Sequence, residues 1–376
     1  MKKFLFQFSR IFLGMLFITS GFVKAVDPMG TAIKFEEYFS IAFNLPQFNV
    51  LAMPLSFLMC AAELWIGLMI LLNIAPRLYA WFALLFMLVF TPLTFYLAVA
   101  NPITDCGCFG DAIKFTNWQT FWKNVFIDVF VVLYFILSKK YPSSLKIKTK
   151  LIASFSTYLL IILFEFYNFY FLPIIDFMPY KVGANIADLM KIPENAPKDE
   201  YKIFLTYKNS QTGEIKEFTE ENYPWEDTTW QWVETKTVLV KKGYVPPIHD
   251  FILQDTIGQD HTNEILSSND TIALVVTYTL ETAKEIRLQY ILNYVNDIRK
   301  YRQNLKIFIV TSSSNAAISS WAIQLKIEGA TICKIDQVTS KTIIRSNPGL
   351  VVLYKAKILG KYSYQTLKRK PAKDIL

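Results

Sequence analysis

Residues 78–100 read LYAWFALLFMLVFTPLTFYLAVA, an apolar stretch without a single charged side chain. About 20 such residues, coiled as a helix, span the hydrocarbon core of a bilayer, so this stretch predicts a transmembrane helix. Four further stretches have a similar length and composition and predict four more crossings. The five predicted helices cover roughly residues 4–26, 51–74, 78–100, 118–137 and 151–172.

The apolar character is confined to the first part of the chain. Of 376 residues, 53% are hydrophobic and only 19% are charged, which is apolar for a soluble protein, yet the region after residue 175 has ordinary globular composition. We therefore predict a membrane α-helical bundle followed by exported domains. The predicted divisions are a four-helix unit at 1–138, a linker with the fifth helix at 139–172, a small β-rich region at 173–243 and an α/β domain at 244–376.

The basic residues predict how the helices are oriented. Cytoplasmic loops of membrane proteins are enriched in lysine and arginine, and most basic residues of this half fall on the side of the N-terminus. The net charge of +8 therefore reflects membrane orientation rather than nucleic-acid binding. We expect an inner-membrane protein in contact with lipids, with a cytoplasmic N-terminus retained as a helix and a periplasmic C-terminal half. The expected cytoplasmic residues are Lys2, Lys3, Arg10, Arg77, Lys139, Lys140, Lys146, Lys148 and Lys150.

Charge is costly inside a membrane, and three ionisable side chains away from the ends of predicted crossings are therefore functional candidates. Glu63 lies in the second helix, Asp128 in the fourth and Arg10 in the first. One interpretation is an intramembrane polar site that relays protons or holds the headgroup of a quinone. The other is a structural ion pair or hydrogen bond between helices. Glu165, in the fifth helix, is expected at the membrane interface.

The loop after the third crossing is the best candidate for chemistry. Residues 101–111 read NPITDCGCFGD, and two cysteines separated by one glycine close only a very small, strained disulfide ring that is easily reduced. Cys106 and Cys108 therefore form either a redox pair, a structural disulfide or two thiols packed in a turn. Asp105 and Asp111 flank them and are expected to raise the pKa values of the thiols. No metal site is expected, because the loop and the two histidines offer too few ligands.

The first four helices resemble the DoxX/MauE-like membrane proteins. The resemblance rests on residues 20–28 (SGFVKAVDP), on Glu63 and on residues 106–110 (CGCFG). It implies quinone-linked oxidation or the maturation of disulfide-containing periplasmic proteins, with Cys106 and Cys108 as the redox pair and Glu63 in a polar site. The whole layout, with a fifth helix and a long tail, looks like DoxX-family proteins of Bacteroidota.

The exported half predicts two different regions. Alternating residues at 201–207 and 214–218 predict a hairpin, 237–240 predicts a further strand, and nearby Trp225, Trp230 and Trp232 either pack on the hairpin or form a binding surface. From residue 245 onward, strands alternate with helices as in an α/β sheet. This tail resembles TlpA-like and other thioredoxin-like domains.

That resemblance places Asn347-Pro348 at the position of the thioredoxin cis-proline, beside a groove for extended polypeptide. The tail departs from the family in having no thiol at residues 279–284, where the redox cysteines would open a helix, and Cys333 is expected in the core. Two functions stay open. One is a redox-linked protein that exchanges electrons with a periplasmic thiol protein. The other is a non-catalytic accessory subunit whose tail binds exported proteins or envelope partners.

Overall fold

The computed structural model describes residues 1–376 except 104, 109, 111, 112, 114, 242, 326–328 and 376, and gives only the backbone at 323–325. Five helices of the described chain are long and apolar enough to cross a membrane, as the sequence predicts. A short helix, α2, lies between the first two of them. The helices are α1 (Lys2–Val26), α2 (Pro28–Glu37), α3 (Ala52–Leu71), α4 (Pro76–Ala100), α5 (Asn117–Ser138) and α6 (Ile147–Phe171).

Helices α1 and α3 pack with almost no space between their backbones. A Cβ atom placed on Gly21 would lie 2.5 Å from the backbone nitrogen of Leu64, and one on Gly67 would lie 2.7 Å from that of Ile18. Small residues allow this approach, which is a common way for helices to associate in a membrane. The contact brings polar side chains of α1 and α3 within hydrogen-bonding distance of each other.

The helix α2 begins directly after α1. Asp27 caps its N-terminus, because its Oδ1 accepts a hydrogen bond from the backbone N–H of Gly30 at 3.0 Å, and Pro28 fills the first helical position, where its missing N–H costs nothing. A π-helical turn at Tyr38–Ala42 and a 3₁₀ turn at Pro46–Leu51 then lead into α3.

A compact unit formed by Asn185–Phe251 contains the predicted hairpin. Its three antiparallel strands stand in the order β2-β1-β3. Trp230 packs edge-on against Phe218, with ring centroids 5.2 Å apart, whereas Trp225 and Trp232 are exposed. The elements are the short helix α7 (Ile186–Met190) and the strands β1 (Glu200–Asn209), β2 (Ile215–Thr219) and β3 (Trp230–Lys241).

The C-terminal region carries a six-stranded mixed sheet in the order β4-β7-β6-β5-β8-β9. Its central strands β5, β6 and β7 are parallel, and β8, β9 and β4 run antiparallel to their neighbours. The strands are β4 (Gln254–Asp255), β5 (Thr271–Val276), β6 (Leu305–Thr311), β7 (Ala330–Lys334), β8 (Gly349–Tyr354) and β9 (Lys357–Ser363).

Five helices connect and flank these strands. The longest, α9, lays Leu288, Ile291 and Val295 on the sheet, where they are fully buried with Val275 of β5. Burial on both faces explains the uninterrupted apolar run of β5. The helices are α8 (Thr262–Ser267), α9 (Glu285–Tyr301), α10 (Asn315–Leu325), α11 (Gln337–Ile343) and α12 (Tyr364–Leu367).

This sheet region and the membrane helices belong to one compact unit, made of Met1–Ala184 and Ile252–Leu376. Arg345, which follows α11, forms a salt bridge of 2.9 Å with Asp27 at the start of α2; the two side chains are only 6% and 12% exposed. Lys341 contacts Glu36 near the end of α2 at 3.0 Å. Ion pairs between oppositely charged side chains therefore hold the sheet region on the membrane helices.

Candidate functional site

The loop between α4 and α5 brings its two thiols together. The sulfur atoms of Cys106 and Cys108 lie 2.7 Å apart and are not bonded to each other. Cys106 is buried, with 6% of its surface exposed, and Cys108 is partly exposed. The two sulfurs are therefore placed for a disulfide to form and break, with Cys108 as the more accessible of the two.

Two side chains from the preceding helices hold the loop. The hydroxyl of Ser20, near the end of α1, donates to the backbone carbonyl of Cys108 at 2.8 Å. The hydroxyl of Tyr38, just after α2, donates to the carbonyl of Cys106. Gly107 has a φ of +66°, a conformation that glycine adopts without strain. The loop is thus fixed by groups far away in the sequence.

A buried ion pair lies directly below the loop. Lys24 Nζ is 2.6 Å from Glu63 Oε2, with the two side chains 5% and 6% exposed, and it also donates to Ser20 Oγ at 3.2 Å. Lys24, Ser20 and the Cys108 carbonyl therefore form a continuous hydrogen-bonded chain from Glu63 to the thiol loop. The sequence places Lys24 at a helix edge and does not reveal this pairing; the available signal is a lysine within the first apolar stretch itself.

The surroundings of the two thiols differ in their effect on ionisation. The hydrogen bond from Cys106, together with the positive charges of Lys123 and Lys24, lowers the pKa of Cys108 to about 6. The pKa of Cys106 is raised, because its hydrogen bond to Cys108 and its burial both favour the neutral thiol. Of the two thiols Cys108 is therefore the more readily ionised, and the thiolate is the reactive form in disulfide exchange.

The expectation that flanking aspartates raise the thiol pKa values is wrong for Cys108. Asp105 lies 3.3 Å from the ammonium of Lys34, and its other carboxylate oxygen accepts from the N–H of Gly107 at 3.0 Å. The negative charge is thereby neutralised next to the loop, and the lysines dominate the field at Cys108. Asp111 lies outside the described residues.

Two small cavities adjoin the thiol pair. One, of about 30 Å³, is lined by Lys24, Glu63 and Cys108 among others, and another, of about 20 Å³, by Tyr38, Cys106 and Cys108. Each has room for water. Neither has room for the ring of a quinone, so the residues around Glu63, as they are arranged here, do not fit that cofactor.

The other two predicted intramembrane polar residues have different neighbours. Asp128 of α5 accepts a hydrogen bond from the hydroxyl of Thr91 in α4 at 2.9 Å, as in the structural interpretation. Arg10 lies 14 residues before Lys24 on α1, about 21 Å along the axis. Its Nε is buried, with no hydrogen-bond partner in the part of the chain that the structure describes. Within the described chain no hydrogen bond or ion pair joins Arg10, Asp128 and Glu63 into one site.

Glu165 is buried among the helices, which the expectation of an interfacial position did not include. It is fully buried in α6, and neither carboxylate oxygen has a hydrogen-bond partner among the described residues. The difference has a simple cause. Its neighbours along the chain are mostly aromatic, which indicates an interface, but a single helix turn carries both outward-facing and inward-facing residues.

The Asn347-Pro348 peptide bond is cis and closes the loop before β8. The side chain of Asn347 accepts hydrogen bonds from Thr277 Oγ1 at 2.9 Å and from the N–H of Tyr278 at 3.1 Å, and donates to Thr282 Oγ1 at 3.1 Å. The loop therefore abuts the thiol-free segment after β5. Cys333 is fully buried in β7, in the core as expected.

The fold and this site together define a five-span membrane protein with a thiol pair at one end of its bundle. Residues 2–137 match the family model described as Methylamine utilisation protein MauE. Residues 201–242, which hold β1–β3, match a Domain of unknown function (DUF8463). No curated protein matches the sequence. The first four spans of this membrane protein are thus similar to the MauE family.

Proposed function

We propose that the protein is a thiol–disulfide oxidoreductase, in which the oxidised Cys106–Cys108 pair accepts two electrons from a dithiol protein. The observation that carries the proposal is the 2.7 Å distance between the two sulfurs in a loop that Ser20 and Tyr38 hold in place. The surroundings of the pair lower the pKa of Cys108 and raise that of Cys106. A stabilised thiolate favours the reduced form of a pair and makes its disulfide a strong oxidant. The small ring that a Cys106–Cys108 disulfide closes also favours the reduced form of the pair.

The exchange proceeds in two balanced steps. A thiolate of the partner attacks Sγ of Cys108, and the bond between Cys108 and Cys106 breaks, so that Cys106 leaves as a thiolate and takes a proton. The second thiolate of the partner then attacks the partner's own sulfur in the mixed disulfide. Cys108 leaves as a thiolate beside Lys24, the partner holds a new disulfide, and two electrons have moved to the Cys106–Cys108 pair.

The partner in this proposal is a protein on the same face of the membrane as the loop, which the charge distribution predicts to be periplasmic. That compartment maintains disulfides, as envelope protein maturation requires. The quinone that the resemblance implies has no step here, because the cavities beside Glu63 are too small for it.

A single-turnover experiment tests the exchange. The full-length protein, oxidised and purified in detergent, is mixed with an excess of a synthetic peptide that carries two cysteines. Without an added oxidant, we expect one peptide disulfide per protein molecule. The Cys106→Ser and Cys108→Ser variants should form none, while Cys60→Ala and Cys333→Ala, which remove buried thiols elsewhere, should match the parent. A parent protein that oxidises no peptide contradicts the proposal.

The C-terminal region supports a second candidate function, that of an accessory subunit that holds a polypeptide. We infer a thioredoxin-like arrangement from the three parallel central strands and from the contact of Asn347 with Thr282, within residues 279–284. A photo-crosslinking side chain at the exposed Thr282, beside the loop, should capture polypeptide in cells. The same group at Lys300, on the far end of α9, is the control. Equal capture at both positions contradicts this role.

A further inference from the structure

A wide cleft opens where α6 ends. Its volume is about 510 Å³, and its walls come from two parts of the chain, the segment after Phe171 and the sheet region around Arg345 and Lys361. Typical small-molecule binding sites have a comparable volume. It has no part in the thiol chemistry.

The cleft carries more positive than negative charge. Four basic residues line it, Lys181, Arg345, Lys361 and Lys370, against one acid, Asp176. Lys361 pairs with Asp176 at 2.5 Å, and Arg345 pairs with Asp27 outside the cleft. Lys181 and Lys370 have no carboxylate partner within the described part of the chain.

Two of these cations are held out of water. The side chains of Lys361 and Arg345 are each only 6% exposed. Burial lowers the pKa of Lys361 in spite of its ion pair with Asp176, and the nearby charge of Arg345 lowers it further. Each of these two buried charges is balanced by a carboxylate, so the positive charge that remains for an anionic ligand is that of Lys181 and Lys370.

One wall of the cleft is apolar and begins where a candidate membrane span ends. Phe171 is the last residue of the membrane-spanning helix α6, and Leu172, Pro173 and Ile174 continue the wall from there. The guanidinium of Arg369 lies 4.4 Å from the centre of the Phe171 ring. An aromatic and basic rim of this kind is typical of the depth at which lipid headgroups lie.

We propose that this cleft binds the phosphate of an anionic phospholipid, with the basic side chains around the phosphate and the acyl chains along the exposed apolar face of α6. A lipid headgroup and free inorganic phosphate would both present a phosphate group to these side chains. The apolar wall and the membrane depth favour the lipid. A bound headgroup would contact both α6 and the sheet region and so hold the two together.

Native mass spectrometry of the full-length, delipidated protein in detergent tests this proposal. Phosphatidylglycerol should bind with a stoichiometry of one at low micromolar concentration, and phosphatidylcholine at least tenfold more weakly. The Lys181→Gln/Lys370→Gln variant should lose about tenfold in affinity. A matched control, Lys355→Gln/Lys357→Gln, removes two exposed lysines at the β8–β9 turn and should bind as the parent does.

The outcomes separate the possibilities. Equal affinity of the cleft variant and the control overturns the site. Inorganic phosphate that binds as tightly as phosphatidylglycerol, and displaces it, overturns the lipid as its ligand. Thermal unfolding without lipid should be the same for both variants, which establishes that a loss of binding is not a loss of fold.

Discussion

The field at Cys108 is set by single side chains of α1 and α5. Lys24 and Lys123 stabilise its thiolate, and Lys24 is itself paired with Glu63. Removing Lys24 alone would leave Glu63 buried without a partner, at a cost of about 3–5 kcal/mol. The informative variant therefore neutralises both members of the pair.

For the Lys24→Met/Glu63→Gln variant we expect the pKa of Cys108 to rise toward the ordinary thiol value, because Lys24 lowers it more than Glu63 raises it. Each unit of such a rise is a tenfold fall in the ratio of thiolate to thiol. The measurement is the pH dependence of alkylation of Cys108 in the reduced protein. The Asp188→Asn/Lys191→Gln variant neutralises an exposed pair elsewhere and serves as the control. An alkylation profile that is identical in parent and variant would contradict the role of Lys24.

His261 gives a prediction about pH and stability in the sheet region. Its ring nitrogens lie 2.8 Å from Glu264 and 3.3 Å from Asp255, and the hydrogen bonds to these carboxylates raise its pKa. A raised pKa in the folded state contributes stability that is fully present below the unfolded value of about 6.5 and is lost as the pH rises through the folded value.

Amide exchange in α8 should therefore accelerate, relative to the intrinsic rate, as the pH rises above neutrality. The His261→Gln variant should exchange faster at pH 6 and lose most of this pH dependence. If parent and variant respond to pH in the same way, His261 does not stabilise this region.

At the scale of elements, the close contact between α1 and α3 places Lys24 beside Glu63. In the Gly21→Ala variant the new Cβ would meet the backbone of Leu64, so the helices must separate. We expect a loss of about 1–3 kcal/mol, as for overpacking in general, measured by unfolding in detergent. The Leu88→Ala control changes a side chain of α4 that is 67% exposed and should be nearly neutral. An equally mild effect of both changes would argue against tight packing.

The sequence predicts these elements well and their partners poorly. All five spans follow from the length of apolar stretches, since the bilayer imposes that length. The pairing of Lys24 with Glu63 cannot be predicted in this way, because it joins residues far apart in sequence, and the helix contact that brings them together is made by glycines. The burial of Glu165 was missed for a related reason, since the side of a helix that faces its neighbours depends on the packing of the whole bundle.

At the scale of the whole molecule, Arg345 and Asp27 join the sheet region to the membrane helices. The sequence shows both charges and gives no sign that they meet. The Arg345→Met variant leaves Asp27 largely buried without its partner and should destabilise the contact by about 3 kcal/mol, whereas the Asp27→Arg/Arg345→Asp exchange should recover part of the loss. The measurement is the rate at which limited proteolysis cuts the chain near residue 345.

A suitable control is Lys300→Met, which removes an exposed ion pair with Asp297 and should cost under about 1 kcal/mol. If Arg345→Met is cut no faster than this control, the ion pair does not hold the sheet region in place.

The central claim is that Cys106 and Cys108 form a reversible, oxidising couple, and its midpoint potential in native membranes tests that claim most directly. Thiol trapping and mass spectrometry across a graded redox buffer would give the fraction of each form. We predict a reversible two-electron transition at a potential above about −200 mV, in the range of oxidising dithiol proteins. A pair that stays fully oxidised or fully reduced across the whole buffer range would show that the loop is structural.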